Sequence, residues 1–247
     1  MERLDQALVE RGHCESREKA KRAIMAGQVK VNGQPARKPS DATQLGDELV
    51  LIAGEKFVSR GGLKLEHARQ QFQLNVVGLT ALDLGASTGG FTDCLLQAGA
   101  KRVFAVDVGQ GQLAWKLRRD RRVTVMEKTN ARHLTPAMFP QPFVPFDLAV
   151  MDCSFISLRK ILPPAVALLQ AGGKIVALIK PQFEAGRAEV DRGAGVIRDP
   201  AVHERVLREL EAFVIAQPGM VWRQVTESPL LGPAGNKEFL VLIEKSE

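Results

Sequence analysis

Short apolar runs alternate with longer mixed segments from Thr80 onward. This alternation predicts strands joined by helices, and it is typical of a parallel sheet with crossover helices on both faces. The last two apolar runs flank a connection that contains Pro and Gly, Ser228–Asn236, and predict an antiparallel end to the sheet. The sequence therefore predicts an α/β domain. Its strands are expected at Ala81–Leu84, Val103–Val106, Val123–Glu127, Phe146–Met151, Lys174–Ile179, Met220–Thr226 and Glu238–Ile243.

The N-terminal region has a different pattern, in which two helical stripes precede short alternating strands. Ser16 is placed to cap the second helix, because its hydroxyl can accept a hydrogen bond from a free N–H of the first turn. Asn32-Gly33 is a strong signal for a hairpin turn. We predict a small α+β domain here, with helices at Leu4–Val9 and Arg17–Ala26 and strands at Gln28–Val31 and Glu48–Ile52.

These two patterns predict two domains. Residues 1–53 form the α+β domain, residues 54–62 a linker, and residues 63–247 the α/β domain. An amphipathic helix, Leu63–Phe72, opens the second domain and carries Lys64 near its start.

Composition narrows the class of protein. Of the 247 residues, 45% are hydrophobic and 25% charged, which is ordinary for a soluble globular protein. No apolar run is long enough to span a bilayer, and the N-terminus is acidic where a signal peptide would be basic, so we expect a cytoplasmic protein. Cys14, Cys94 and Cys153 lack paired spacing, so we expect neither a disulfide nor a metal site. The net charge of +6 favours a polyanionic partner such as nucleic acid.

A glycine-rich loop follows the first predicted strand, in the sequence TALDLGASTGGF from Thr80 to Phe91. Glycine lets the backbone approach a ligand closely, so we predict a cofactor site at this turn from strand to helix. The order of Asp83, Gly85 and Gly89-Gly90 fits the dinucleotide-binding fingerprint poorly. An ordinary strand-to-helix turn is the alternative interpretation.

The loop resembles the first motif of class I S-adenosylmethionine methyltransferases, whose sheet is Rossmann-like. The resemblance implies that Asp107, at the end of the second strand, accepts the ribose hydroxyls of the cofactor and that Asn130 borders its adenine. Asp107 could instead cap the next turn. The cofactor-binding residues implied by the resemblance are Asp83, Gly85, Ser87, Gly89, Gly90, Phe91, Asp107 and Asn130.

The N-terminal segments RLDQALVERG and SREKAKRAIMAGQVKVNG resemble the S4-type RNA-binding domain. A basic helix face suits the phosphates of structured RNA, although exposed Lys and Arg on a helix are often only solvated. The chain has no Tyr, and its Trp and Phe residues are mostly at core-like positions, so we do not expect an aromatic platform for base stacking. The predicted RNA-binding residues are Arg3, Arg17, Lys19, Lys21, Arg22 and Lys30.

Acids and lysines stand at two further strand ends. The fourth strand ends in MDCSF, which lacks the Asn/Asp-Pro-Pro-aromatic sequence expected of an amine methyltransferase, and the fifth ends in IKPQFE. Asp152 and Lys180 therefore occupy neighbouring strand ends. Together with Lys64 and Glu238 they resemble the Lys-Asp-Lys-Glu tetrad of FtsJ-type ribose 2'-O-methyltransferases.

The resemblance implies a role for each member of the tetrad. A ribose hydroxyl is a poor nucleophile, so a base must take its proton as the methyl group arrives. Lys180 is the candidate base, Asp152 would position it, Lys64 would steer the hydroxyl, and Glu238 would orient Lys64 or the ribose. A lysine can serve as a base only if its charged form is disfavoured, and paired acids act in the opposite direction.

The segments SRGGLKL, DLGASTGGFTDCLL, MDCSFISL, IKPQFE and GNKEF, behind an S4-type domain, resemble the TlyA or haemolysin-A family. The resemblance implies an enzyme that 2'-O-methylates cytidine in ribosomal RNA, using S-adenosylmethionine and no metal. The short tail after Ile243 favours the members that modify the large subunit alone. Two alternatives stay open: a ribosome-binding or assembly factor without enzymatic activity, and a membrane-active haemolysin.

Overall fold

The computed structural model describes residues 1–52 and 55–246. Contacts between residues divide the chain into two compact units, Met1–Lys56 and Phe57–Glu247. The domain boundary predicted between residues 53 and 54 and the predicted end at residue 247 lie outside the described residues.

The first unit pairs two helices with short strands. Ser16 caps the second helix, since its Oγ accepts a hydrogen bond from the Lys19 N–H at 3.3 Å. Asn32 and Gly33 both have positive φ, which a tight hairpin turn requires. The elements are β1 (Glu2–Arg3), α1 (Leu4–Glu10), α2 (Arg17–Met25), β2 (Val29–Val31), β3 (Gln34–Pro35), β4 (Ala42–Thr43) and β5 (Leu49–Leu51).

Burial explains why these short elements hold together. Their apolar side chains form one small core, to which α1 and α2 contribute through residues such as Leu8 and Ile24. The three-stranded sheet has the order β3-β2-β5, and β1 pairs with β4. The predicted small α+β domain is confirmed.

The second unit is built around one seven-stranded sheet. Its helices are α3 (Gly61–Gln71), α4 (Gly90–Gln97), α5 (Trp115–Arg118), α6 (Leu162–Ala167), α7 (Pro181–Glu184), α8 (Arg187–Arg192) and α9 (Pro200–Ile215). Its strands are β6 (Thr80–Leu84), β7 (Arg102–Val106), β8 (Val123–Met126), β9 (Phe146–Met151), β10 (Leu169–Ile179), β11 (Met220–Glu227) and β12 (Phe239–Lys245).

The strand order is β11-β12-β10-β9-β6-β7-β8. The pairs from β10 through β8 are parallel, whereas β12 is antiparallel to both β10 and β11. The predicted α/β class and its antiparallel end are confirmed. From β6 the chain runs through β7 to β8 at one edge of the sheet, and it then crosses back to β9 on the other side of β6. Ligands of such sheets bind beside the carboxyl ends of the two strands at this crossover.

Several predicted strand starts differ from the structure by one residue, and the start of β10 differs by five. β10 begins at Leu169, before the predicted Lys174, because Leu169 pairs with Phe146 ahead of an irregularity in the ladder. The sequence places Glu238 at the start of the last strand, whereas in the structure it immediately precedes β12. The ladder between β12 and β10 starts at Phe239, opposite Ile179, so Glu238 lies just beyond the strand end.

Alternation along β6 divides its side chains between two cores. Leu82 and Leu84 belong to the core that includes residues of α6 and α9, and Ala81 belongs to the core that includes residues of α3 and α4. Asp83 is fully buried and bonds to Thr92 of α4. Within the described residues, no helix is long and apolar enough to cross a membrane.

Candidate active site

The glycine loop turns tightly over the end of β6. The N–H groups of Gly85 and Ala86 both donate to the Val106 carbonyl, at 2.9 and 3.1 Å. Gly85 has a φ of +82°, and a Cβ there would lie 2.8 Å from the backbone oxygen of Asp152. Only glycine therefore lets the loop pass this close to the end of β9.

Asp107, just after β7, accepts hydrogen bonds from the glycine loop and from the turn that follows β7. Its Oδ2 accepts from the Ser87 N–H at 2.8 Å, and its Oδ1 accepts from the Gly109 N–H at 2.7 Å. The second bond caps the turn that follows, as one sequence interpretation proposed. The first bond fixes the glycine loop against the end of β7.

A cavity of about 1200 Å³ opens beside this loop. Among the residues implied to bind the cofactor, Gly85, Ser87, Asp107 and Asn130 line it. This set fits S-adenosylmethionine, because the glycine loop and a carboxylate at the strand end line one roomy cavity.

The other implied cofactor residues lie elsewhere around the loop. Gly90 and Phe91 line a second, smaller cavity. Asp83 and Gly89 are buried beneath the loop, where a Cβ on Gly89 would lie 2.3 Å from Leu117 Cδ1. The structure therefore does not place all eight residues on one cavity wall.

Asp83 has a fully buried carboxyl group. The Thr92 hydroxyl donates to its Oδ2 at 2.6 Å, and no described residue donates a hydrogen bond to its Oδ1. Burial raises the pKa of Asp83 to about 7, and the nearby Asp152 charge acts in the same direction, while the Thr92 hydrogen bond opposes both.

The second cavity, of about 290 Å³, brings the predicted tetrad together. Lys64, Asp152, Lys180 and Glu238 all line it, beside the glycine loop. Lys180 Nζ lies 2.6 Å from Asp152 Oδ1 and donates to Ser154 Oγ at 2.8 Å. Lys64 Nζ lies 2.5 Å from Glu238 Oε2. Two lysine–acid pairs therefore face one space.

These pairs are largely removed from water. Lys64 and Lys180 are each 8% exposed, and Glu238 is 1% exposed. Glu238 Oε1 is buried and has no hydrogen-bond partner within residues 1–52 and 55–246. It lies next to Gly232, where a Cβ would come within 2.6 Å of it. A buried carboxylate oxygen of this kind can accept a hydrogen bond from a ligand.

Close backbone packing brings Lys64 to the cavity. A Cβ on Gly90 would lie 2.4 Å from Ser59 Oγ and 2.8 Å from the Gly62 nitrogen. The start of α4 therefore contacts the start of α3, because Gly90 carries no side chain. Lys64 lies in the first turn of α3 and so lies beside the glycine loop.

The two cavities share Gly85, Ser87, Asp152 and Ser154. A group bound in the larger cavity can therefore meet a group bound in the smaller one. Their junction lies at the carboxyl ends of β6 and β9.

Two aromatic residues contradict the expectation of core-like positions. Trp115 is 71% exposed and Phe155 is 90% exposed. Phe155 lines the larger cavity, and its ring centroid lies 5.2 Å from that of Phe183. The sequence signal that we missed is its place in MDCSF, three residues after Asp152, where the chain has already left the buried strand.

In the first unit, the predicted RNA-binding residues remain at least partly exposed while most pair with local acids. Arg3 and Arg17 both bond to the buried Asp5, at 3.0 and 3.1 Å, and the Arg3 hydrogen bond is the main cause that lowers the pKa of Asp5. Lys19 pairs with Glu15 and Lys21 with Glu18, Arg22 donates to the Glu18 carbonyl, and Lys30 lies on β2.

The part of the chain that the structure describes contains no group of three or more His, Cys, Asp or Glu side chains placed to hold a metal ion. The expectation of an enzyme without metal stays a prediction.

Two family models match the chain. The model described as FtsJ-like methyltransferase matches residues 57–245, and the model described as S4 domain matches residues 2–49. Both matches agree with the resemblances identified in the sequence.

Characterised relatives match over nearly the whole chain. The 16S/23S rRNA (cytidine-2'-O)-methyltransferase TlyA of Mycobacterium tuberculosis is 44% identical, over 97% of this chain and 88% of its own. Hemolysin A of Brachyspira hyodysenteriae is 43% identical, over 96% of this chain and 98% of its own. The solved structure of a candidate hemolysin from Streptococcus thermophilus has a TM-score of 0.75 and 46% identity, and covers 100% of this chain and 89% of that one.

Proposed function

The chain belongs to the FtsJ-like methyltransferase family, and we propose that it transfers the methyl group of S-adenosylmethionine to the 2'-hydroxyl of a cytidine in ribosomal RNA. The observation that carries the proposal is the pair of lysine–acid contacts, Lys180–Asp152 and the buried Lys64–Glu238, in a cavity that adjoins the glycine-loop cavity. A hydroxyl acceptor needs a base, and these lysines are the candidates.

S-adenosylmethionine, when bound, supplies an electrophilic methyl group on a sulfonium. We assign the larger cavity to it, with the backbone at Gly85 and Ser87 close to the cofactor. Asp107 would accept hydrogen bonds from the ribose hydroxyls of the cofactor, and Asn130 would border its adenine. Asp83, Gly89, Gly90 and Phe91 support the loop from beneath and from the side of the smaller cavity.

The smaller cavity receives the target ribose. Lys180 Nζ would take the proton of the 2'-hydroxyl, and the cofactor would supply the methyl group that the hydroxyl oxygen accepts. Asp152 holds Lys180 through the 2.6 Å contact. Lys64 steers the hydroxyl, and Glu238 holds Lys64 at 2.5 Å while its free Oε1 accepts a hydrogen bond from the ribose.

The first unit, which matches the S4 domain model, binds the RNA. Arg3 and Arg17, both held by Asp5, together with Lys19, Lys21, Arg22 and Lys30, form a basic face for phosphates. The relative from Mycobacterium tuberculosis is named for both 16S and 23S rRNA, and one from Campylobacter jejuni, 31% identical over 76% of this chain, is named for 23S rRNA alone. We favour the large subunit as the substrate, which places the reaction in the cytoplasm.

Purified ribosomal subunits that lack the modification, incubated with the protein and S-adenosylmethionine carrying a labelled methyl group, test this proposal. We expect label in the large-subunit RNA, recovered as 2'-O-methylcytidine after digestion to nucleosides. Label in a base would refute ribose methylation. Tight binding to the subunit with no transfer would favour the assembly-factor alternative, and dye release from liposomes would favour the haemolysin alternative.

A further inference from the structure

The segment after β9, Ser154–Leu158, is fastened to the segment after β10, Lys180–Glu184. At the far end, the Glu184 carboxylate accepts from the Ser157 hydroxyl at 2.6 Å and from the Leu158 N–H at 2.7 Å. Burial raises the pKa of Glu184, so water does not compete strongly for these bonds. The position of Ser154–Leu158 therefore follows that of the chain that leaves β10.

The middle of the same segment has a constrained backbone. Phe155 has a φ of +63°, a left-handed conformation that bulky residues rarely adopt. Such a conformation is unfavourable for a residue with a side chain and persists only where the surrounding contacts impose it. Here the ring of Phe183 contacts Phe155, with 5.2 Å between centroids, and the Glu184 bonds hold the residues that follow.

At the near end, Ser154 reaches the candidate base. A lysine amine has tetrahedral geometry, and two of its N–H groups are accounted for: one faces Asp152 Oδ1 at 2.6 Å and one is donated to Ser154 Oγ at 2.8 Å. The remaining direction is where the lone pair of the neutral amine lies. With Asp152 alone, the amine could still rotate about its Cε–Nζ bond.

On the basis of the proposed function, we infer that Ser154 is a positioning residue. Together with Asp152 it fixes the direction of the Lys180 lone pair toward the ribose 2'-hydroxyl. Ser154 keeps its own proton throughout, and the hydroxyl proton passes to Lys180 Nζ as described above. Ser154 belongs to the segment MDCSF, in which this chain differs from the motif of amine methyltransferases.

Ser154→Ala removes the second acceptor and leaves the Lys180–Asp152 and Lys64–Glu238 contacts in place. We expect kcat for methyl transfer to ribosomal RNA to fall about tenfold, because small errors of alignment are costly in group transfer. The KM for RNA, the Kd for S-adenosylmethionine and the melting temperature should stay at the values of the unsubstituted protein. Ser154→Thr, which keeps a hydroxyl at the same place, should restore most of kcat.

Thr226→Ala is the control, since it also removes a hydroxyl of the same unit, but one that contacts His67 and not Lys180. Thr226 does not line either cavity, so kcat should stay close to that of the unsubstituted protein. A kcat for Ser154→Ala equal to that of the unsubstituted protein, or a Ser154→Thr variant no better than Ser154→Ala, would overturn the inference while leaving the proposed function intact. No methyl transfer by the unsubstituted protein would overturn both.

Discussion

Lys64 Nζ and Glu238 Oε2 lie 2.5 Å apart although 174 positions separate them in the chain. Lys64 comes from the first turn of α3, and Glu238 comes from the residue before β12. Both are almost fully buried, so neither charge can be satisfied by water if its partner is lost. This pair joins the two ends of the catalytic unit at the cavity that we assign to the target ribose.

Glu238→Gln leaves the Lys64 ammonium buried without its counter-charge. We expect the free energy of unfolding to fall by about 3 kcal/mol and methyl transfer to be severely reduced. Urea unfolding measures the first effect. Glu227→Gln is the control, because Glu227 pairs with Lys237 at 3.0 Å on the surface, and its loss should cost less than about 1 kcal/mol. Equal losses in the two variants would show that burial does not decide the value of the pair.

Gly85→Ala tests the close approach between the loop and β9. Its Cβ would lie 2.8 Å from the Asp152 oxygen, so the backbone must shift where the two cavities meet. We expect the affinity for S-adenosylmethionine to fall at least about tenfold, equal to about 1.4 kcal/mol, measured by calorimetric titration.

Gly111→Ala is the matched control for Gly85→Ala. Gly111 also has a positive φ, +74°, but open space surrounds its Cβ position. This variant should lose about 1–2 kcal/mol of stability through backbone strain and keep its cofactor affinity. If both variants lost affinity equally, strain alone would account for the effect.

Stability should depend on pH through Asp83. Because burial raises the pKa of this group from 3.8 to about 7, the folded state holds a proton that the unfolded chain releases above about pH 4. Its contribution to stability is complete below about pH 4 and is lost as the pH rises through about 7. Asp83→Asn cannot titrate.

Urea unfolding of the two proteins between about pH 5 and pH 8 provides the measurement for Asp83. Relative to Asp83→Asn, the unsubstituted protein should lose up to about 1.4 kcal/mol per pH unit until about pH 7, and little beyond it. Parallel stability curves for the two proteins would contradict the raised pKa.

Arg17→Ala should weaken binding of ribosomal RNA. Arg17 is 48% exposed at its side chain and bonds to Asp5, which keeps Arg3 as a partner in the variant. If Arg17 contacts a phosphate, the slope of log K against log salt concentration should fall by about 1. Arg208→Ala, on α9 in the other unit, removes a more exposed arginine charge and should leave the slope unchanged. Identical slopes for the two variants would remove Arg17 from the RNA contacts.

Much of the fold follows from local pattern. The short apolar runs between mixed segments predict β6 and its parallel neighbours, because a strand that is buried on both faces carries apolar side chains on both, as Leu82 and Ala81 do. The meeting of Asp152 and Lys180 also follows, because carboxyl ends of adjacent parallel strands share one edge.

Other features depend on contacts that no local pattern encodes. The contact between Ser154 and Lys180 needs the left-handed backbone at Phe155, which is imposed by residues more than 25 positions later. The exposure of Phe155 has the same origin. The free oxygen of Glu238 depends on Gly232 leaving room beside it. The domain limits and the roles of individual site residues stay predictions.

Single-turnover methyl transfer by Lys180→Ala and Lys180→Arg tests the central claim most directly. Arginine keeps the positive charge beside Asp152 but cannot act as a base at neutral pH. With S-adenosylmethionine and the ribosomal subunit both saturating, we predict that the transfer rate falls about 10²–10⁴-fold in both variants. The control is Lys174→Ala, on β10, which ends just before Lys180, and its rate should not fall. Transfer by Lys180→Arg at the rate of the unsubstituted protein would contradict the assignment of Lys180 as the base.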